Sequence, residues 1–261
     1  MRITTIINGK GGVGKTTTAQ ALAAGMNRIP NGKYKTLAID YDPQGNLSFA
    51  YGADITNAPT MYHVINGEAS IDEAIQHTDQ GDIVAANASL TKIDSLFSGD
   101  EIFEGLDKLK DQLIPISDRY SHAFIDNQPL IGGMLTRQAL VAATDLVVPM
   151  LADMFTIQGL ARLEKAVETI QKRDNPNLKI EGLLLTKHNP RTIFGSNIGE
   201  AIEKWAFNHQ TRVYQNFIRE SVCVKESQAK KQSLFEYAPN SNPAIDYTAF
   251  IREYLNQESE G

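Results

Sequence analysis

One octapeptide limits what this chain can become. Residues Gly9-Lys10-Gly11-Gly12-Val13-Gly14-Lys15-Thr16 keep the spacing G-x-x-x-x-G-K-[ST]. A β-branched run over residues 3–7 stands before them, and the helix-forming Thr17-Thr18-Ala19-Gln20-Ala21-Leu22-Ala23-Ala24 follows. Glycines let the backbone wrap an anion with its N–H groups turned inward. The start of a helix adds its partial positive charge. The pattern predicts a phosphate cradle made of Gly11, Gly12, Val13, Gly14, Lys15, Thr16 and Thr17. In it Lys15 reaches the terminal phosphates and Thr16 serves a magnesium ion.

A strand feeding such a loop needs a sheet to sit in. Residues 36–39, 123–125, 146–148 and 182–185 are short, nearly continuous apolar runs. Strands of that kind are buried on both faces, as in parallel sheets. Between them the apolar residues are spaced as on helices. Ile102, Leu106, Leu109 and Leu113 share one face, as do Leu160, Leu163, Val167 and Ile170. Pro243 suits a first helical turn, before a stripe of Tyr247, Phe250, Ile251 and Tyr254. The alternation predicts an α/β fold: a doubly wound, mainly parallel sheet with helices on both faces, in one domain over residues 1–261. Residues 51–96 are the least regular and are expected to lay small helices over one end of the sheet. The polar tail 256–261 is expected to fray.

Two more strand ends carry carboxylates. Asp40-Tyr41-Asp42-Pro43-Gln44-Gly45-Asn46 follows the second run, and Phe124-Ile125-Asp126 closes the third. The C-terminal ends of parallel strands form the ligand-binding edge of such sheets. Carboxylates there can hold the waters of a magnesium ion or orient an attacking water. Alone, Asp40 to Asn46 would read as an ordinary turn. Next to a phosphate loop it reads as part of a site.

Lys10 narrows the reading, because an ordinary phosphate loop does not demand a lysine at its second position. With it the loop resembles the KGGxGK[ST] motif of the deviant Walker A ATPases, the ParA/MinD family. D-x-DPQGN resembles that family's ParA-type switch I. Residues 233–239, Ser-Leu-Phe-Glu-Tyr-Ala-Pro, preceded by Glu226, resemble its C-terminal E-A-x-x-x-G-x-S-L-x-x-Y-x-P stretch. The resemblance implies ATP and Mg2+ as cofactors and a homodimer when ATP is bound. Lys10 would then act on the partner's phosphates, Asp42 would orient the catalytic water, and Asp126 would hold a magnesium water. Asp40 would be a more distant magnesium residue or a structural one. The family continues D-x-P-P where this chain has Asp126-Asn127-Gln128-Pro129, so Gln128 stands in for a proline.

Other branches fit less well. A single cysteine, Cys223, excludes iron–sulfur relatives that need several thiolates. The C-terminus carries Glu253, Glu258 and Glu260 beside Arg252, unlike the basic amphipathic helix of MinD. No run approaches the roughly 18 apolar residues of a spanning helix, and no signal peptide precedes the first strand. No membrane partner and a cytoplasmic, nucleoid-associated location are expected. Because the first strand begins by Ile3, the short ParA form without an N-terminal helix-turn-helix is expected. A metabolic ligase of the dethiobiotin or cobyrinate amidation type is the main alternative, a MinD-like positioning ATPase another.

The resemblance also implies non-specific DNA binding and a ParB-like centromere-binding partner, with a plasmid, chromosome or mobile element as cargo. The formal net charge of −6, from 25 Lys+Arg and 31 Asp+Glu, argues against a broad basic coat. Local contacts would fall to Arg191, Arg219, Lys225 and Lys230. Glu220 and Cys223 stand where the family has arginines.

Overall fold

The computed structural model describes residues 1–97, 101–153, 156–188 and 193–256. Seven strands form its sheet: β1 (Arg2–Ile6), β2 (Thr36–Tyr41), β3 (Ile75–Thr78), β4 (Gly81–Val84), β5 (His122–Asn127), β6 (Asp145–Met150) and β7 (Lys179–Leu185). They lie side by side as β3-β4-β2-β5-β1-β6-β7. Every pair is parallel except the β3–β4 hairpin at the edge. This is the α/β doubly wound fold that the apolar runs require.

Every residue of β2, β5 and β6 is buried. Alternation sends their side chains to two separate cores. Leu37, Ile39 and Tyr41 of β2 join one core, while Ala38 joins the other. Helices Met134–Ala142 and Thr156–Gln171 cover the first face. Helix α1 (Lys15–Asn27) and the C-terminal helix Asn242–Asn256 cover the second. Those two helices approach closely, and a Cβ on Gly25 would meet Ile251 Cδ1 at 2.4 Å. The stripe of Tyr247, Phe250, Ile251 and Tyr254 is buried there as its spacing predicts.

Two expectations change. Residues 51–96 hold short helices, but they also supply β3 and β4. Gln76-His77-Thr78 and Gly81-Asp82 carry few apolar side chains, because β3 is an edge strand that is only partly buried. The 102–113 stripe is not one helix. It forms Glu101–Leu106 and Lys108–Leu113, broken at Asp107, with Leu106, Leu109 and Leu113 buried.

Candidate active site at the phosphate loop

The loop leaves β1 at the centre of the sheet and enters α1 through Gly14, whose φ of 89° lies in the left-handed region that glycine tolerates. No side chain caps α1, so its first N–H groups remain available to an anion. Gly11, Gly12, Gly14, Lys15, Thr16 and Thr17 line a cleft of about 570 Å3. Val13 is buried beneath it, and its carbonyl accepts a 2.8 Å hydrogen bond from Thr186 Oγ1.

Lysines surround this loop. Lys15 is almost fully buried, and its ammonium donates to the carbonyl of Lys10 at 3.2 Å. Burial lowers its pKa, against the pull of Asp126 and Asp42. Lys187, with φ 50°, donates to the Gly12 carbonyl at 2.9 Å. Lys10 turns back within its own chain to pair with Asp153.

The two strand-end aspartates are register partners on β2 and β5. Asp40 Oδ2 accepts from Ser48 N at 2.8 Å and Ser48 Oγ at 2.7 Å, and its Oδ1 accepts from Asp42 N at 3.2 Å. Burial pushes its pKa up to about 6. Both Asp126 oxygens are buried without a hydrogen-bond partner. Burial, then the neighbouring Asp40 charge, holds the Asp126 carboxyl well above its ordinary range. Thr16 comes near enough to temper that shift without meeting bonding geometry, and the Lys15 charge opposes it too. Two buried carboxylates this close ionise together only beside positive charge. A divalent cation at Thr16 and Asp126 would supply it and fill the two orphaned oxygens, so these residues fit magnesium. Asp40 was expected among the metal residues, yet its oxygens are taken by Ser48 and Asp42. It ties β2 to helix α2 (Asn46–Tyr51).

Asp42 lines the cleft, and its Oδ1 accepts from Gln44 N at 3.0 Å. The turn ends at Gly45, with φ 63°, where a Cβ would lie 3.1 Å from the Ala86 carbonyl oxygen. That approach explains the glycine of the DPQGN string.

Of the four candidate DNA contacts, Arg219 and Lys225 line one cleft. Arg191 lies outside the described residues. Arg219 is engaged with Asp246, Nη2 to Oδ1 at 2.6 Å, and lines the cleft. Lys225 also lines the cleft, with Glu220. Lys230 is exposed just past helix Cys223–Ala229.

Sequence reasoning missed Ser48, Asp153, Thr186 and Lys187 as site residues. Each is brought in by the fold from another element, and no local spacing marks it.

With this geometry in view, relatives can be compared. The AAA domain family AAA_31 matches residues 1–180. The sporulation initiation inhibitor protein Soj of Bacillus subtilis is 31% identical over 260 residues, 97% of each chain. The chromosome partitioning protein ParA of Caulobacter vibrioides is 31% identical over 274 aligned positions, covering 100% of this chain and 96% of that one. The chain belongs to the ParA/MinD superfamily. The crystal structure of a cobyrinic acid a,c-diamide synthase from Mycobacterium smegmatis with bound ATP analogue and magnesium superimposes with a TM-score of 0.81 at 25% identity, covering 99% and 96% of the two chains. The chain is thus a P-loop protein of the ATPase type by descent, and Gly11, Gly12, Gly14, Lys15, Thr16, Thr17 and Asp42 are the parts of the site that its cleft presents. Among the described residues no helix is long and apolar enough to cross a membrane.

Proposed function

We propose that this chain is a single-domain ParA-type ATPase that binds ATP and Mg2+, dimerises on ATP and hydrolyses it slowly until a partner stimulates it. One observation carries this reading: the two orphaned Asp126 oxygens lie beside a buried Lys15 and an uncapped helix start. The phosphate-loop N–H groups and Lys15 hold the β- and γ-phosphates; Thr16 and Asp126 hold the metal. Bound magnesium neutralises charge on the phosphate oxygens as it builds up. Asp42 accepts a hydrogen bond from the attacking water and orients it. Lys10 leaves Asp153 and reaches the partner's phosphates, which makes hydrolysis depend on dimerisation.

The dimer binds DNA without sequence preference through phosphate contacts, with Lys225 and Lys230 as candidates and Arg219 available once freed from Asp246. A ParB-like protein stimulates release, and the system partitions a plasmid, chromosome or mobile element. The protein then works in the cytoplasm on the nucleoid. A second reading, amidation of a small carboxylic acid, draws on the likeness to the M. smegmatis enzyme. The test measures ATP turnover alone, with random duplex DNA, with a ParB-like protein, and with a small dicarboxylic acid plus an amide donor. Stimulation by DNA and partner is expected; stimulation by the acid pair alone would favour amidation.

A further inference from the structure

Among the described residues, three that are not glycine take a left-handed backbone: Lys187, Gln210 and Lys231. Two of them have an ordinary cause. Gln210 and Lys231 each stand two residues past a helix, after Ile193–Asn208 and Cys223–Ala229, where a left-handed residue closes the last turn. Lys187 has no helix before it. It follows β7 with φ 50°, a conformation that strains any residue with a side chain. Strain of this kind persists only where the surroundings impose it. Here those surroundings are the phosphate loop.

Both neighbours of Lys187 are pinned. Thr186 N donates to the Met150 carbonyl at 2.8 Å and Thr186 Oγ1 to the Val13 carbonyl at 2.8 Å, while His188 N donates to the Ile218 carbonyl at 3.1 Å. Between them, the Lys187 ammonium donates to the Gly12 carbonyl at 2.9 Å, from 175 residues along the chain. Two consecutive loop carbonyls, Gly12 and Val13, are thus held by residues at the end of β7. In a planar trans peptide the next residue's N–H points opposite to the carbonyl. Holding these carbonyls turns the Val13 and Gly14 N–H groups away from their holders, toward the hollow that the loop encloses. Neither N–H has an acceptor among the described residues, and an anion is the acceptor such a nest takes.

Lys187 is exposed and lines the cleft, and among the described residues it pairs with no carboxylate. Its place in the sheet also matters. β7 lies two strands from β1, on the side away from β5 and β2, whose ends carry Asp126 and Asp42. Lys187 therefore stands apart from the metal and the attacked phosphate. We propose that Lys187 is a positioning residue for the phosphate loop: its ammonium fixes the Gly12 peptide so that the Val13 amide is aimed at a polyphosphate before one binds. The strained backbone is what this preorganisation costs. The inference rests on the ATPase reading above and adds a residue to it. Acting through the loop, Lys187 serves diphosphate and triphosphate alike, and no bond is made or broken by it.

The test measures affinities of the full chain, with Mg2+, for ADP, a non-hydrolysable ATP analogue and inorganic tripolyphosphate, and the Tm without ligand. Lys187→Met keeps the stem and removes the ammonium. It is expected to lose about tenfold for all three ligands, as for a lost charge-assisted hydrogen bond. Lys187→Gly removes the ammonium and also the strain. It should lose at least as much affinity while its Tm holds or rises, an opposition that a merely structural lysine does not give. A loss that spares tripolyphosphate or ADP, unchanged affinity for all three, or affinity and Tm falling together in Lys187→Gly overturns the role of Lys187 while leaving the ATPase reading intact. A wild-type chain that binds none of the three overturns both.

Discussion

Asp40 and Asp126 are neighbours in register at the ends of two central strands, equally buried, and the chain treats them in opposite ways. Around Asp40 every bond is closed from within: Ser48 gives two donors, the Asp42 amide a third, and Ser48 Oγ in turn accepts from Ala86 N at 2.8 Å. Around Asp126 the chain leaves both oxygens open. An identical residue type in an identical strand position therefore serves two ends. One holds a turn in shape, and the other waits for a ligand. Buried polar atoms that are all satisfied stabilise and specify a fold, whereas unsatisfied ones mark where a partner is missing.

The largest expected effect is on the turn that Asp40 holds. Asp42→Ala should lower ATP turnover by about 10²–10⁴-fold, the usual weight of a residue that directs a proton or water. It should still bind ATP and dimerise; full activity would remove Asp42 from the chemistry. Lys15→Ala should lose nucleotide-dependent dimerisation and on the order of 10²-fold in turnover, read by scattering and phosphate release. Asp126 and Asp40 give the direct contrast. Asp126→Asn should raise the Mg2+ concentration needed for nucleotide binding by about 10–100-fold, and its Tm without metal should rise at neutral pH because a buried carboxylate is gone. Ser48→Ala should leave the Mg2+ requirement within about threefold but cost ~1–3 kcal/mol, or about 2–4 °C of Tm per kcal/mol for a chain of this size. If both substitutions shift the metal requirement equally, the comparison between the two aspartates fails.

A pH effect follows with a smaller amplitude. The Asp40 carboxyl has a folded pKa of about 6, above its unfolded value. The ligand-free protein holds that proton in preference to the unfolded chain. This contribution to stability is full below pH ~4 and is lost as pH rises to ~6. Metal binding runs the other way, because Asp126 must be ionised to serve. Burial and the Asp40 charge hold the Asp126 carboxyl above its ordinary range, so affinity for Mg2+-nucleotide should weaken as pH falls, checked by titration at pH 5.5 and 7.5.

Much of this site was legible in the chain itself, for a physical reason. A phosphate cradle is built from consecutive backbone amides, so its geometry is written in adjacent residues, Gly9 through Thr16. The strand-end positions of Asp42 and Asp126 follow from apolar runs that stop at the ligand-binding edge. Ser48, Thr186, Lys187 and Asp153 were not legible, since their roles depend on tertiary approach. The β3–β4 hairpin was missed because an edge strand does not need to be apolar. Arg219 read as a candidate DNA contact, and the pairing with Asp246 that occupies it spans 27 residues. The family departure at Gln128 was visible as a substitution, but its buried, unpartnered amide nitrogen emerged only once neighbouring atoms were in place.

The most direct test is the mass of the protein in solution with Mg2+ and either ADP or ATP, using Asp42→Ala to prevent turnover. A ParA-type nucleotide switch predicts 28.8 kDa with ADP and twice that with ATP, reverting when Lys15→Ala is added. A mass of 28.8 kDa with both nucleotides would contradict it.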